Sequence, residues 1–213
     1  MSGGINSALR EIEDGLVRRL GQDIRALFDL QIEAAMRHMA ANSMLARGDT
    51  APDFDLQSSG KHRVSLADTL KKGKVILTFY RGSWCNFCNM ALGHWQNRSA
   101  AIQDRGATLL AIAPETPVHA AKFRTSAGIT YPLLSDPDNR TADAYGLSFD
   151  LPPEARRKLE ALGTDVGSFN GNGDWSVPIT ATFLVDTSGQ ILIADCNPDY
   201  RKRLEPDDII SAL

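Results

Sequence analysis

The sequence predicts an α/β fold, with a mixed central sheet flanked by helices and a long N-terminal helical extension. Three observations support this prediction. Runs of β-branched and aromatic residues alternate with segments of helical periodicity, which is the order of a parallel core sheet. The last two runs are joined by the tight turn Thr187-Ser-Gly189, which predicts an antiparallel hairpin at one edge. Residues 5–44 contain no proline and have apolar residues at helical spacing.

Length and composition describe an ordinary globular chain. Its 213 residues are enough for one buried domain plus an extension and too few for two large domains. Apolar residues make up 43% and charged residues 23%, and the net charge of −3 offers no basic footprint for nucleic acid or an anionic membrane. No apolar run approaches the ~20 residues that span a bilayer, and the N-terminus lacks the pattern of a signal peptide. We therefore expect a cytoplasmic protein without a nucleic-acid or membrane partner.

The N-terminal extension, residues 1–47, precedes a main domain of residues 48–213. Its pattern predicts one long amphipathic helix, or two helices separated near Gly15 or Gly21. The apolar stripe consists of Ile5, Leu9, Ile12, Leu16, Leu20, Ile24, Leu27, Phe28, Ile32, Ala35, Met36 and Met39. Two interpretations remain open: the extension packs along its own domain, or it forms the subunit interface of a homodimer.

The strands of the main domain are predicted from short apolar runs. Two of them frame a Ser-Ser-Gly turn and resemble edge strands, whereas the third is a continuous apolar run typical of a buried strand. The predicted strands are residues 54–56, 63–66, 74–80, 108–113, 131–135, 181–186 and 190–194.

Helical patterns follow most of these strands. They cover residues 90–103, 118–126, 141–145 and 153–162, and a last helix begins near Pro206. The remainder of residues 151–177 is rich in Pro and Gly and is expected to be irregular. The resulting β-α-β-α-β-β-α order is that of the thioredoxin-like fold.

The chain has three cysteines, and two of them lie in the motif Cys85-Asn-Phe-Cys88. Cys85 is placed after a buried strand and at the start of a helix, where unpaired amides and the helix dipole favour a thiolate. Cys88 lies one helical turn further on, within reach for a disulfide. The pattern predicts Cys85 as an exposed nucleophile and Cys88 as a less exposed resolving thiol.

A zinc site is the competing interpretation of this motif. Zinc needs four ligands, so two more would have to join the cysteine pair. His94 is the local candidate, and Cys196 or His119 would have to arrive from elsewhere. Because the sequence has no second C-x-x-C and no H-x-x-x-H, redox chemistry is the stronger prediction, with no metal and no other cofactor. Two buried, inert cysteines are the remaining alternative.

Three segments carry a resemblance to a known family. Phe79–Leu92, around the cysteine motif, resembles the peroxiredoxin-like branch of the alkyl hydroperoxide reductase and thiol-specific antioxidant family. Gly48–Leu56 resembles the opening strand of that family, and Thr180–Gly189 resembles its late hairpin. The resemblance covers residues 48–213 and leaves the N-terminal extension outside it.

The resemblance implies a thiol-dependent antioxidant enzyme that reduces hydroperoxides through a Cys85–Cys88 dithiol/disulfide cycle. A thioredoxin-type or glutathione-type reductant would then recycle the disulfide. Two alternatives stay open. One is a protein thiol-disulfide reductase without peroxidase activity, and the other is a non-catalytic binding module that uses the N-terminal helix.

The sequence departs from the typical peroxiredoxin pattern beside Cys85 and near the late hairpin. Gly82 stands three residues before Cys85, where typical members have Thr, and Arg81 stands where Pro would follow Phe-Tyr. Thr180 occupies the position of the family's catalytic Arg. We expect the Ile179–Thr180 bond to be trans, because a non-proline cis bond costs about 2.5–4 kcal/mol.

Three residues are candidates for the substrate pocket. Arg81 would steer an anionic substrate or lower the pKa of Cys85, or else be a solvated charge at a strand end. Trp84 would shield the thiolate and contact a partner, or else cap the core. Thr180 would donate a hydrogen bond to the thiolate or to a bound peroxide. Cys196, after the last predicted strand, is expected to be a bystander thiol, with an extra resolving cysteine as the alternative.

Overall fold

A computed structural model describes residues 4–60 and 62–213 of the chain. Its strands are β1 (Asp55–Ser58), β2 (Arg63–Ser65), β3 (Val75–Phe79), β4 (Thr108–Ala113), β5 (Leu133–Ser135), β6 (Ser148–Asp150), β7 (Ser176–Pro178), β8 (Thr180–Val185) and β9 (Ile191–Asn197). Its helices are α1 (Ile5–Leu20), α2 (Asp23–Ala41), α3 (Leu66–Leu70), α4 (Asn86–Gln96), α5 (Ser99–Asp104), α6 (Pro117–Ser126), α7 (Arg140–Ala144), α8 (Pro153–Ala161), α9 (Val166–Asn170) and α10 (Pro206–Ile210).

The central sheet is mixed, as predicted. Its strand order is β2-β1-β5-β4-β3-β8-β9, in which β3, β4 and β5 run parallel and the remaining pairs are antiparallel. Strand β3 lies between β4 and β8, with Leu77 opposite Leu110 on one side and Phe183 on the other. Every residue of β3 is buried. A strand covered on both faces needs apolar residues throughout, which is why this run does not alternate.

The predicted late hairpin is formed by β8 and β9. The side chain of Asp186 closes its turn by accepting hydrogen bonds from the backbone N–H groups of Ser188, at 2.9 Å, and Gln190, at 3.0 Å. Strand β9 continues to Asn197, further than predicted, and Cys196 therefore lies within the strand opposite Ala181. The last residues of β9 are in a strand because they pair with β8, and the local sequence pattern does not predict this pairing.

The N-terminal extension forms two helices that separate at Gly21. Gly21 has φ +82°, a conformation that favours glycine, and it terminates α1. Ile5 and Leu9 of α1 are fully buried, and Leu27 and Phe28 of α2 are nearly so. Both helices thus turn part of their apolar stripe toward their own domain. The 1–47 and 48–213 division stays a prediction.

The sequence missed three elements between residues 148 and 178. Strands β6 and β7 pair antiparallel, with Phe149 opposite Val177, and α9 is a short helix capped by the side chain of Asp165. The predicted helix 90–103 also begins earlier and is divided into α4 and α5. In the described part of the chain, no helix is both long and apolar enough to cross a membrane.

Candidate active site

Cys85 lies between β3 and α4, in the predicted position. It is the N-cap residue of α4, and its Sγ accepts a hydrogen bond from the backbone N–H of Cys88 at 3.4 Å. A side chain at this position meets the unpaired amides of the first turn and the positive end of the helix dipole. The local sequence, a buried strand followed by a helical segment, is sufficient to produce this arrangement.

Both thiols are free and buried, with Cys85 4% exposed and Cys88 0% exposed. The prediction that Cys85 is exposed is therefore wrong, although Cys85 is the more accessible of the two. The physical reason is the N-terminal extension, because Leu16 of α1 and Phe28 of α2 lie beside Cys85 in the wall of one pocket.

The two thiols differ in acidity. Burial by itself raises the pKa of Cys85, but the hydrogen bond with Cys88 and the charges of Arg81 and Arg203 outweigh it and lower the pKa to about 6. Burial raises the pKa of Cys88 well above its ordinary value, and the neighbouring Cys85 raises it further. At neutral pH the pair therefore consists of a Cys85 thiolate and a Cys88 thiol.

Arg81 is, after the hydrogen bond with Cys88, the next largest cause of the lowered pKa of Cys85. It is 2% exposed, so the alternative of a solvated strand-end charge is wrong. Its guanidinium donates a hydrogen bond to Oε1 of Gln31 on α2 and lies 4.1 Å from the centre of the Tyr200 ring. Contacts from two distant segments thus hold the cation beside Cys85.

Trp84 lies at the pocket and is half-buried. Its ring centre is 4.7 Å from the Arg81 guanidinium, a cation–π contact. Gly82 explains how the ring fits: it has φ +131°, and a Cβ there would lie 2.5 Å from Nε1 of Trp84. The Thr of typical family members has no room at Gly82 while Trp84 occupies this place.

A buried carboxylate, which sequence reasoning missed, holds the loop before Cys85. Glu115 is 0% exposed and accepts hydrogen bonds from the Tyr80 hydroxyl at 2.7 Å and from the Ser83 hydroxyl at 2.6 Å. It also accepts from the Ser83 backbone N–H at 3.0 Å. Glu115 follows β4, and the carboxyl ends of parallel neighbours β3 and β4 meet at one edge. This topology could have predicted the role of Glu115, because a residue just after β4 lies beside the loop that follows β3.

The expected role of Thr180 is corrected by the structure. Thr180 is buried, and its hydroxyl donates to the carbonyl of Asn197 at 3.4 Å. Among the contacts of residues 4–60 and 62–213, Thr180 has no hydrogen bond to Cys85, and it does not line the pocket beside that thiol. The reason is register: Thr180 lies directly opposite Asn197 in the late hairpin. The Ile179–Thr180 bond is trans, as predicted.

The Cys85 pocket, a cavity of about 190 Å³, lies between the two N-terminal helices, α8 and the start of α4. Arg81, Trp84, Gln31 and Cys85 supply much of its polar and aromatic lining. Its apolar walls are formed by Leu16, Leu20, Ile24, Leu27, Phe28, Leu159 and Leu162. Arg19, Asn86 and Thr164 also line it, so the pocket joins apolar walls to a polar side that carries two arginines.

Two further predicted residues lie away from this pocket. Cys196 is half-buried, and burial together with Asp195 raises its pKa to about 12, which favours the bystander interpretation. His119 lies in the first turn of α6 and bonds to the Thr116 hydroxyl at 3.0 Å, while His94 lies in the last turn of α4. No three His, Cys, Asp or Glu side chains converge on a metal position within the described residues.

Sequence comparison identifies the family. A model of the AhpC/TSA family matches residues 47–193. The chain belongs to the AhpC/TSA family. A Mycobacterium tuberculosis protein named as a peroxiredoxin is 30% identical over 159 residues, which is 75% of this chain and 90% of that one. Thiol-disulfide oxidoreductase ResA of Bacillus subtilis is 28% identical over 131 residues, which is 59% of this chain and 72% of that one.

Solved structures agree on the fold. Peroxidoxin BcpB from Mycobacterium tuberculosis superposes with a TM-score of 0.62 at 22% identity, over 78% of this chain and 95% of that one. AhpC from Enterococcus faecalis superposes with a TM-score of 0.61 at 21% identity, over 80% of this chain and 91% of that one. The predicted thioredoxin-like fold and family are confirmed. This AhpC/TSA member is a peroxiredoxin-like, thiol-dependent oxidoreductase.

Proposed function

We propose that this AhpC/TSA protein reduces organic hydroperoxides through Cys85 and Cys88, with Arg81 and Trp84 forming the substrate pocket. The observation that supports the proposal is the placement of one acidic thiol, Cys85, in a pocket with apolar walls, next to a thiol that stays protonated. Thr180 has no part in this proposal, because its hydroxyl bonds to Asn197.

The cycle has three steps. The Cys85 thiolate attacks the terminal oxygen of the hydroperoxide, the O–O bond breaks, and the alkoxide takes up a proton and leaves as an alcohol. Cys88 sulfur then attacks the Cys85 sulfenic acid; an S–S bond forms, and the hydroxyl leaves as water with the proton from Cys88. Finally an external dithiol reduces the disulfide, returns two protons and two electrons, and is itself oxidised to a disulfide.

The surroundings of Cys85 provide three things that the first step needs: a stabilised thiolate, a fixed loop and apolar walls for the substrate. Arg81 is fixed by Gln31 and Tyr200, so its charge stabilises the thiolate without reorganisation. Glu115 fixes the loop at Ser83, next to Trp84 in the pocket lining. The apolar walls favour a hydroperoxide with a hydrocarbon substituent, since each Å² of apolar surface buried contributes about 25 cal/mol. Hydrogen peroxide gains nothing from those walls.

A protein disulfide reductase is the second candidate. The likeness to ResA and the Trp84-Cys85 sequence favour it. The burial of Cys85 opposes it, because a protein disulfide would have to enter the pocket beneath α1 and α2. The non-catalytic binding module is opposed by the lowered pKa of Cys85, which a purely structural cysteine does not need.

Stopped-flow oxidation tests the proposal directly. The reduced protein is mixed with cumene hydroperoxide and, separately, with hydrogen peroxide, and insulin reduction is measured in parallel. The proposal expects oxidation to be fastest with cumene hydroperoxide, and insulin reduction to be slow. Slow oxidation by both peroxides together with fast insulin reduction would select the disulfide reductase instead.

Substitution of Leu162 is expected to weaken the preference for organic hydroperoxide. Leu162 lies at the pocket rim and is 47% exposed, so Leu162→Asn removes apolar wall without disturbing the core. Losing about 1 kcal/mol of apolar contact lowers the rate with cumene hydroperoxide about five-fold, with little change for hydrogen peroxide. Val118→Asn on α6 is the matched control, because Val118 is exposed and lies outside the pocket. Equal effects of both substitutions would contradict the assignment.

The rate of Cys85 oxidation is expected to follow its ionisation. The reactive form is the thiolate and its pKa is about 6, so the rate falls about ten-fold per unit below that pH and levels off above it. Arg81→Met removes the nearby positive charge and is expected to move the midpoint upward by about one unit. The exposed Arg105→Met is the control. A midpoint unchanged by Arg81→Met in a stopped-flow pH series would refute the role of Arg81.

We propose a thioredoxin-type dithiol, or two molecules of a glutathione-type monothiol, as the reductant, and a cytoplasmic location. The inward orientation of the apolar stripe of α1 and α2 favours an extension that closes the pocket of its own chain. A homodimer contact would use the outer side of these helices, where Met36 is exposed. Light scattering measures the mass directly.

A further inference from the structure

Arg203 contacts the second thiol from a segment outside the matched family region. Residue 203 follows β9, ten residues beyond the end of the match at residue 193. Its Nη2 lies 3.8 Å from Sγ of Cys88 and donates to it. Cys88 is otherwise enclosed in the core and 0% exposed. The positive charge of this half-buried guanidinium lowers the pKa of the fully buried Cys88 thiol.

The position of Arg203 is set by the first turn of α1. The Asn6 side chain accepts from the Arg203 backbone N–H at 3.0 Å and donates to the Arg203 carbonyl at 2.7 Å. Glu205 in turn accepts from the Ile5 backbone N–H at 2.8 Å and caps the start of α1. These reciprocal contacts fix the backbone at Arg203. The Arg203 side chain therefore extends to Cys88 from a fixed position.

We propose that Arg203 is a catalytic residue of the resolving step, in which it favours the thiolate of Cys88 that attacks the Cys85 sulfenic acid. This inference rests on the proposed dithiol cycle. Cys88 loses its proton, its sulfur forms the S–S bond, and the departing hydroxide combines with that proton to form water. When a dithiol later reduces the disulfide at Cys85, the same guanidinium faces Cys88 as it leaves as a thiolate.

The charge balance around Cys88 shows why such a group is needed. Burial and Cys85 raise the pKa of Cys88, whereas Arg203 and Arg81 lower it. The Tyr80 hydroxyl also faces Cys88 from the end of β3 and stays protonated, because burial and Glu115 raise its pKa. Arg81 is engaged by Gln31 on the Cys85 side. Arg203 is thus the cation in direct contact with the resolving sulfur.

The test separates the two thiol steps in time. Reduced protein is mixed with one equivalent of cumene hydroperoxide at about pH 8, where Cys85 is already ionised. Rapid quenching with dimedone and mass spectrometry then count Cys85 sulfenic acid and the Cys85–Cys88 disulfide. The variants are Arg203→Met, which removes the charge, and Arg203→Lys, which retains it. Lys202→Met is the control, since Lys202 lies in the same segment and its side chain is 69% exposed.

Arg203→Met is expected to slow disulfide formation about 3- to 10-fold and to shift its pH profile upward, while sulfenic acid forms at nearly the wild-type rate. Arg203→Lys restores much of the rate, and Lys202→Met changes neither step. Disulfide formation by Arg203→Met at the wild-type rate would overturn the inference. Should that variant not fold, Asn6→Ala, which frees the anchor, is expected to slow the same step, and an unchanged step would be equally decisive. Failure of the wild type to form sulfenic acid would instead remove the proposed function.

Discussion

Cys85→Ser is expected to abolish peroxide reduction, whereas Cys88→Ser is expected to leave a trappable sulfenic acid on Cys85. Serine cannot supply a thiolate at neutral pH, so the first substitution reduces the rate to that of the uncatalysed reaction. The second removes only the resolving thiol, and one turnover with peroxide remains. Mass spectrometry after dimedone labelling measures both outcomes.

The assignment of the two roles follows from the asymmetry of the pair. Cys85 accepts a hydrogen bond at the helix N-terminus and has its pKa lowered to about 6, while the pKa of Cys88 is raised well above its ordinary value. Cys196→Ser is the matched control and should leave activity and labelling unchanged. A sulfenic acid found on Cys88 in the Cys85→Ser protein would reverse the assignment.

Deletion of residues 1–45 is expected to destabilise the protein severely and to lower its solubility. The deletion removes Ile5, Leu9, Leu27 and Phe28 from the core, and burying each such side chain contributes about 1.5–3 kcal/mol. Their sum is comparable to the ~5–15 kcal/mol stability of a typical domain. A truncated protein that is soluble, equally stable and unchanged in mass by light scattering would contradict this expectation.

Single substitutions in α2 measure how much the packing of this helix contributes to the free energy of unfolding. Phe28 packs edge-on against Phe87 of α4, with ring centres 5.5 Å apart. Phe28→Ala is expected to lower the free energy of unfolding by about 3–5 kcal/mol, measured by denaturant titration. Met36→Ala, on an exposed position of the same helix, should change it by less than about 0.5 kcal/mol. Similar losses for both substitutions would show that α2 does not pack as described.

Much of the core fold follows from short-range pattern. The apolar run of β3 and the turn at Thr187-Ser-Gly189 each depend on neighbouring residues, and each is found where predicted, whereas the helix after Cys85 begins at Asn86 rather than at residue 90. Pattern was less informative where pairing is distant. Strands β6 and β7 are three residues each and stabilise one another across about 25 intervening residues, so neither shows a periodic signal of its own.

The same distinction between local pattern and long-range contact applies to the candidate site. The sequence by itself determined the family, the cysteine pair and the place of Cys85 at a helix start, because strand, motif and helix are contiguous. Tertiary structure decided which groups surround the thiols. Gln31, Glu115 and Arg203 come from three separate segments, and local sequence does not distinguish them from surface residues. The same long-range packing buried Arg81 and turned the Thr180 hydroxyl toward Asn197, since burial and strand register depend on the partners that the chain brings together.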